Sequence, residues 1–196
     1  MESVRTISRR WGVLLALFAW TGAGWAGDPA YDPPAGYYQG AEALLGTNLH
    51  TVLHQKIRGH TVKSYGSGGT VPALRVLDAM PDDSSQVQLI YWGTGVAGTG
   101  YSGLWNHEHL WPQSYGVSSG PGNSDLFELR PCNPSANSER GNKYFQEIVG
   151  GTVPTHAPLC RKTSVAWMPR PEEKGDIRGP CFTWRSAMRA ETARRI

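Results

Sequence analysis

The sequence contains few charged residues and little cysteine. Charged residues make up 18% of its 196 residues, and cysteine occurs only three times. Nothing in this composition indicates a repeat array or a disordered protein. The length suits one globular domain with a core of its own.

A long apolar run is also missing. The run from Trp11 to Trp20 is short for a membrane span, and it ends in small residues up to Ala26. Because arginines precede it, the pattern is typical of a secretory signal peptide that is cut after Ala26. We therefore expect residues 1–26 to be removed and the mature protein to be secreted or periplasmic, without stable membrane association.

An excess of positive charge is absent from the body of the chain. The whole sequence carries a formal net charge of +3, but residues 27–177 contain 11 Lys or Arg and 14 Asp or Glu, a net charge of −3. The global charge is therefore no evidence for a polyanionic partner, and any such evidence must come from local chemistry.

Cysteine is scarce, and two of the three cysteines, Cys132 and Cys160, lie in the body of the chain. An oxidising compartment would allow a bridge between them. The sequence alone does not establish that pairing.

The apolar spacing predicts a few regular elements. An amphipathic helix packed on the core is expected over residues 40–57, and a strand with one buried face around residues 86–91. Asn133 before Pro134 predicts a capped helix start, with the helix running to about residue 148. Residues 72–77 fit a helical turn or an extended piece, and residues 152–173 are predicted to be mostly loop.

The first candidate segment is Trp105–Pro112, which reads WNHEHLWP. Glu108 offers a hard oxygen ligand for a divalent cation, and His109 offers a base that titrates near neutrality. On an extended backbone these neighbours face opposite sides, so a bend or a loop end would be needed for both to serve one site. The alternative is a pair of hydrogen-bonding histidines, His107 and His109, between two packing tryptophans.

The second candidate segment runs through the predicted helix that begins at Pro134. Asn137, Arg140, Gly141 and Tyr144 fall on one face at spacings of three and four. That face offers an amide ligand, a guanidinium and room for a close approach. The alternative is an ordinary capped helix with a solvated polar face.

Together, the two segments resemble the endonuclease I family of secreted and periplasmic nucleases. The resemblance rests on an ordered combination of motifs, which is more specific than either segment alone. The motifs are Trp105–Pro112, Ser124–Asp125, Leu129–Pro131, Asn137 and Arg140–Phe145.

The resemblance covers residues 37–177 and implies an α+β fold, a single mixed domain built around a ββα-metal (His-Me) finger. It implies that His109 is the general base and that Glu108 and Asn137 hold Mg²⁺ or another divalent cation such as Ca²⁺ or Mn²⁺. Arg140 is a phosphate-binding candidate, or it holds the helix through a carboxylate such as Asp125. The implied activity is hydrolysis of phosphodiester bonds in DNA, RNA or both with low sequence specificity, by a monomer.

The chain departs from the family pattern at two places near the site. Phe127 stands where many relatives have histidine, and no arginine lies between Pro112 and Asp125 to act near the leaving group. The first departure affects the support of the metal site. The second leaves the stabilisation of the leaving group unassigned.

The end of the chain departs further. Relatives continue after Ile177 with an amphipathic helix of the type ARALFYMAVRY, whereas this chain reads RGPCFTWRS. One inserted G after the Ile177 codon, with permitted codons, restores ARALFYMAVRYEGGDGAPD. We hypothesise that a lost base shifted the frame, so that residues 27–177 are an incomplete endonuclease I-like domain and residues 178–196 are a non-native tail. Such a chain would expose apolar surface and be unstable or inactive.

Two other functions fit parts of the pattern. A metal-dependent hydrolase of another phosphoester or of cell-wall material would use Glu108 and His109 in the same way. A secreted nucleic-acid-binding protein would keep the fold without catalysis. A zinc site formed by residues 107–109 is disfavoured, because adjacent residues seldom supply three ligands to one tetrahedral ion.

Overall fold

A computed structural model describes residues 33–57 and 59–181 of the chain. The predicted signal peptide and residues 182–196 of the predicted tail lie outside the described residues. The chain divides into two compact units, Met1–Leu53 and His54–Ile196. All of the candidate site residues belong to the second unit.

Short helices and strands alternate along the described chain. The helices are α1 (Gly46–Ile57), α2 (Thr70–Leu77) and α3 (Pro134–Arg140), and residues 174–181 are also helical. The strands are β1 (Ala79–Met80), β2 (Asp83–Gln88), β3 (Gly95–Ala97), β4 (Asn106–His109), β5 (Leu129–Cys132), β6 (Tyr144–Phe145), β7 (Arg161–Lys162) and β8 (Ala166–Met168).

The first predicted helix forms over a shorter range than expected. α1 begins at Gly46 rather than near residue 40, and residues 34–43 form turns instead. None of its residues is buried. Leu49, Val52 and Leu53 are of intermediate exposure, and the packing of this helix on the core stays a prediction.

The predicted strand is confirmed in part. β2 pairs antiparallel with β1 and with β3 to form a three-stranded sheet, and α2 settles the undecided stretch as a helix. β2 ends at Gln88, and Leu89 and Tyr91 follow it in the turn, where both are buried. The alternation of apolar residues thus identified Leu89 and Tyr91 as buried, but the strand begins and ends earlier in the chain than predicted.

A two-stranded sheet followed by a helix positions the candidate residues. β4 pairs antiparallel with β5, with Glu108 opposite Arg130 and His109 opposite Leu129. α3 begins directly after β5 and is capped by Asn133, whose Oδ1 accepts hydrogen bonds from the backbone N–H groups of Ser135 and Ala136. The predicted helix start is confirmed.

α3 ends eight residues earlier than predicted. Gly141 adopts φ 54° and ψ −127°, a positive φ that disfavours residues with a side chain, and the chain leaves the helix there. Tyr144 and Phe145 then join β6, which pairs parallel with β8. The predicted helical face therefore holds for Asn137 and Arg140 but not for Tyr144.

The region predicted to be mostly loop contains β7 and β8. Together with β6 these strands form a sheet of order β6-β8-β7. The rest of residues 152–173 is mostly loop as predicted, and the two strands were missed because strands of two or three residues are too short to show an alternating pattern.

In residues 33–57 and 59–181, the buried apolar residues form two clusters. One lies under the first sheet and includes Leu74, Val87, Trp105 and Leu129. The other includes Tyr91, Leu110, Ala136, Trp167 and Ile177, together with Cys132 and Cys160. Cys132 and Cys160 are both buried as free thiols, so the bridge considered between them is absent from this structure. Among the described residues, no helix is long and apolar enough to cross a membrane.

Candidate active site

Glu108 is buried in the middle of a polar network between strand β4 and helix α3. The residue is 1% exposed, and its Oε1 accepts a hydrogen bond of 2.6 Å from the Tyr91 hydroxyl. The same oxygen lies 2.8 Å from Nη1 of Arg140. Burial raises the pKa of Glu108, while the Arg140 charge and the Tyr91 hydrogen bond act in the opposite direction.

Arg140 connects α3 to the end of β4. Its guanidinium is 2% exposed and donates to the backbone carbonyls of His109 at 2.7 Å and Leu110 at 2.8 Å. The guanidinium also lies over the Phe145 ring, 4.4 Å from its centroid. The carboxylate partner of Arg140 is thus Glu108 rather than Asp125, whose Oδ1 accepts from the backbone N–H of Phe127.

Asn137 lies one helical turn before Arg140 and also faces β4. Its Nδ2 donates to Asn106 Oδ1 at 2.9 Å and to the His107 carbonyl at 2.8 Å. Because an amide nitrogen has two hydrogens, both are used, and Oδ1 is the side-chain atom left to accept or coordinate.

His109, the last residue of β4, faces a different set of groups from Glu108. Its Nε2 lies 3.1 Å from the carbonyl oxygen of Asn123. A carbonyl oxygen can only accept, so Nε2 carries the proton and Nδ1 carries the lone pair of the neutral ring. Burial lowers the pKa of His109, although the Asn123 hydrogen bond opposes this, and the ring is therefore neutral at pH 7.

Aromatic rings surround both histidines of the segment. The Tyr65 ring lies 4.8 Å from His107 and 5.8 Å from His109 between centroids, nearly parallel to the latter. The Tyr101 hydroxyl is 3.0 Å from Nδ1 of His107. Burial, and then the neighbouring His109, lower the pKa of His107 to about 4, so His107 is a neutral packing residue. The alternative interpretation of the two histidines as buried hydrogen-bonding residues thus describes His107 well.

The structure places the predicted residues on two sides of one strand. Glu108 and Asn106 face α3, with Asn137 and Arg140 on the facing helix, whereas His107 and His109 face Tyr65 and Tyr101. His109 stands at the strand end, where the bend required to bring it towards a shared site would begin.

Several residues of the site were not predicted from the sequence. Tyr91 was recognised as buried, but nothing local indicated that its hydroxyl would reach a carboxylate 17 residues away. Tyr65 lies beside a glycine-rich connection that has no periodicity, and Asn123 contributes a backbone carbonyl. Because every residue has a backbone carbonyl, the sequence does not show which one accepts a hydrogen bond in the site.

Glu128 is a further buried carboxylate near the site. The residue is 0% exposed, and neither carboxylate oxygen lies within normal hydrogen-bond distance of a partner in the described part of the chain, although the backbone of Trp111 acts to lower its pKa. Burial, followed by the charge of Asp125, raises the pKa of Glu128 to about 8. Glu128 is therefore largely protonated at pH 7 and adds little negative charge.

Among the described residues, no three His, Cys, Asp or Glu side chains form a group that could hold a metal ion. The predicted ligand pair, one carboxylate and one amide oxygen, is a smaller set. Such a set suits a hard cation that keeps several waters.

Comparison with known proteins identifies relatives of this chain. The profile of the endonuclease I family matches residues 45–178. An extracellular ribonuclease of Bacillus subtilis (strain 168) is 38% identical over 147 residues, which are 72% of this chain and 49% of that protein. An extracellular ribonuclease of Bacillus amyloliquefaciens is 37% identical over 147 residues, with the same shares.

The chain thus spans about half the length of the relatives that it matches. No solved structure matches it significantly. The profile covers most of the chain, including β4, β5 and α3 with all four predicted site residues. The chain belongs to the endonuclease I family.

Proposed function

We propose that this chain is a secreted endonuclease that hydrolyses phosphodiester bonds in nucleic acid with low sequence specificity. The observation that carries the proposal is the docking of α3 on β4. It sets Asn137 and Arg140 against the strand that bears Glu108 and His109, within the region that matches the family.

A divalent cation fits the donor atoms of this site. Asn137 commits both amide hydrogens to β4 and so offers Oδ1. Glu108 makes its contacts with Tyr91 and Arg140 through Oε1, and Oε2 takes part in neither. Oxygen donors of these kinds suit Mg²⁺, Ca²⁺ or Mn²⁺. When bound, such an ion offsets the negative charge that builds on the phosphate in the transition state.

His109 is the proposed general base. Its ring is neutral at pH 7 because burial lowers its pKa. The Asn123 carbonyl holds Nε2–H, so Nδ1 receives the proton of the attacking water. The water oxygen forms a bond to phosphorus, the bond from phosphorus to the leaving sugar oxygen breaks, and that oxygen takes its proton from solvent.

Arg140 and Tyr91 are positioning residues in this proposal. Both hold Oε1 of Glu108, and Arg140 also holds the backbone carbonyl of His109. A direct contact between Arg140 and phosphate stays a prediction. It would require the guanidinium, which is 2% exposed, to give up part of this network.

RNA belongs among the proposed substrates, because the two Bacillus relatives are named extracellular ribonucleases. The names also support the proposal of a secreted location. DNA remains a second substrate, since a site that engages phosphate does not by itself read the sugar or the base.

One observation favours a second candidate function, a nucleic-acid-binding protein of the same fold without catalysis. The guanidinium of Arg140 already neutralises Glu108, which weakens the attraction of the carboxylate for a cation. Such a protein would bind nucleic acid without any need for metal.

Cleavage assays test the proposal. The chain from Gly27 is incubated with double-stranded DNA, single-stranded DNA and RNA, with Mg²⁺ or with chelator. We expect cleavage that chelator abolishes and that His109→Ala reduces by a factor of about 10² to 10⁴. The matched control is His156→Ala, a half-buried histidine outside the site.

Cleavage that persists in chelator, or that survives His109→Ala, would overturn the assignment of the site. Binding of nucleic acid without any cleavage by a folded protein would favour the second candidate.

A further inference from the structure

A groove of about 910 Å³ lies beyond the end of β4. Its wall begins with Leu110 and Trp111, which follow His109 directly in the chain. It continues through the segment after α3 and along the helical residues 174–181. The proposed mechanism uses none of its aromatic residues.

Three aromatic rings form a row on one side of this groove. Tyr115 and Tyr144 are stacked, with centroids 5.7 Å apart and planes inclined by 25°. Trp111 meets Tyr115 edge-on, with centroids 5.9 Å apart. Tyr144 is 64% exposed, so one face of the row is open to a ligand.

Hydrogen bonds fix this aromatic row in place. The indole N–H of Trp111 donates to the Tyr115 carbonyl at 3.2 Å, and the Tyr115 hydroxyl donates to the Asn142 carbonyl at 2.9 Å. A row that is already ordered loses little conformational entropy when a flat group stacks on it.

The charge of the groove favours an anion. Its lining contains Arg140, Lys143, Lys174 and Arg178 but only one carboxylate, Glu147. Arg140 is balanced by Glu108 outside the groove, and Lys174 is balanced by Glu147. Lys143 donates to backbone carbonyls at the end of α3 and forms no ion pair with a carboxylate among the described residues. The lining therefore stays positive even if Arg178 is left out.

We propose that this groove binds a single-stranded segment of nucleic acid, with a base stacked on Tyr144 and a phosphate near Lys143. The proposal rests on the proposed function and extends it to the choice of strand. Flat aromatic rings beside positive charge are the combination that binds unpaired bases. Bases in a duplex are already stacked on each other, so a duplex cannot use this row.

The groove and the proposed base are close in the chain but belong to different surfaces. Leu110 lines the groove, whereas His109 is not among its lining residues and faces Tyr65 and Asn123. A strand held in the groove would thus contact the protein outside the proposed catalytic site.

Binding of labelled oligonucleotides tests the proposal. In the His109→Ala background with chelator, fluorescence anisotropy would give the Kd for a fluorescein-labelled 12-nucleotide single strand and for a 12-base-pair duplex. We expect Tyr144→Ala to weaken single-strand binding by at least about fivefold, as loss of a stacked base does. Tyr144→Phe should keep the wild-type affinity, and duplex binding should change by less than twofold.

The matched control is Tyr38→Ala, since Tyr38 is exposed and lies outside the groove. A single strand carrying 2-aminopurine adds a second readout, because stacking quenches its fluorescence. We expect quenching by the wild-type groove and by Tyr144→Phe but not by Tyr144→Ala.

Unchanged single-strand affinity in Tyr144→Ala would overturn the groove proposal, and so would an equal loss in Tyr144→Phe. Absence of any oligonucleotide binding would overturn it as well. The cleavage assay remains separate: a chain that cuts nucleic acid while Tyr144→Ala binds normally keeps its proposed function and loses only the groove.

Discussion

Glu108 and His109 are adjacent in the chain but lie in different environments. The period of two in an extended strand sends Glu108 towards Tyr91 and Arg140 and sends His109 towards Tyr65 and Asn123. The carboxylate is held in an ion pair, whereas the imidazole is kept neutral by burial. Two adjacent residues of one strand therefore carry different chemical groups: an ion-paired carboxylate and a neutral imidazole.

The facing of these two residues was predictable from the sequence, but their partners were not. The opposite facing of residues 108 and 109 follows from the strand period alone. The pairing of Arg140 with Glu108 was not foreseen, because Asp125 offered an equally suitable carboxylate closer in the chain. Partners that are distant in sequence, such as Tyr91 and Tyr65, depend on how the loops return, which local patterns do not encode.

Tyr91→Phe tests the support of Glu108. The change removes the 2.6 Å hydrogen bond to a buried carboxylate. We expect the free energy of unfolding to fall by about 1.5–3 kcal/mol, as for hydrogen bonds to charged groups. Urea denaturation would measure it, with Tyr38→Phe as the exposed control. A loss no larger than that of the control would show that the hydroxyl does not stabilise the carboxylate.

Glu128→Gln tests the buried carboxylate of Glu128, whose pKa burial raises. Burial raises the pKa of Glu128 from 4.5 to about 8, so the folded state holds the proton more tightly than the unfolded state. The residue costs no stability below pH 4.5 and becomes destabilising as the pH rises towards 8. Relative to Glu128→Gln, the wild-type free energy of unfolding should fall across that window, with a slope approaching about 1.4 kcal/mol per pH unit.

Chemical denaturation at several pH values from 5 to 8.5 would measure the two stabilities. Glu147→Gln, at a carboxylate that is largely exposed, is the control and should follow the wild type. Parallel curves for wild type and Glu128→Gln would contradict the assignment of a raised pKa.

At the scale of elements, helix α3 holds the site together although it has only seven residues. Its start was predictable, because Asn133 and Pro134 form a local signal that needs no tertiary information. Its end was not, because Gly141 was interpreted as part of a continuing face rather than as a stop. The strands β6, β7 and β8 are two or three residues long, and tertiary pairing rather than pattern defines them.

Asn133→Ala tests the cap of α3. The change removes the acceptor for the backbone N–H groups of Ser135 and Ala136. We expect a loss of about 1 kcal/mol in the free energy of unfolding. Because α3 carries Asn137, we also expect weaker apparent affinity for the activating cation in the cleavage assay.

Asn142→Ala is the control for the cap, since Asn142 is exposed and lies beyond the end of α3. A variant as stable as this control would show that the cap is not what holds the helix start.

At the scale of the whole molecule, the frameshift hypothesis concerns the residues that follow Ile177. Ile177 is 2% exposed in a core cluster, and Cys181 packs partly against the same cluster. The frameshift hypothesis proposes that apolar residues of an amphipathic helix belong after Ile177. If so, the core cluster at this end is incomplete in the chain as it stands.

Restoring the frame tests that proposal. A protein that continues after Ile177 with the restored helix should have a higher Tm than the present chain and greater activity in the cleavage assay. A chain that ends at Ile177 is the control, and it should resemble the present chain if residues 178–196 add no native packing. A restored chain no more stable than that control, or a gene whose sequence shows an intact frame at this codon, would contradict the hypothesis.

The buried pair of Glu108 and Arg140 constrains how this molecule can change by mutation. Loss of either partner leaves a buried charge alone, whereas joint replacement by apolar residues can be neutral or stabilising. In a library of random variants sorted only for yield of folded protein, changes at these two positions should survive as pairs and rarely singly. A sort for cleavage would retain Glu108, so the two selections would drive this part of the chain in different directions.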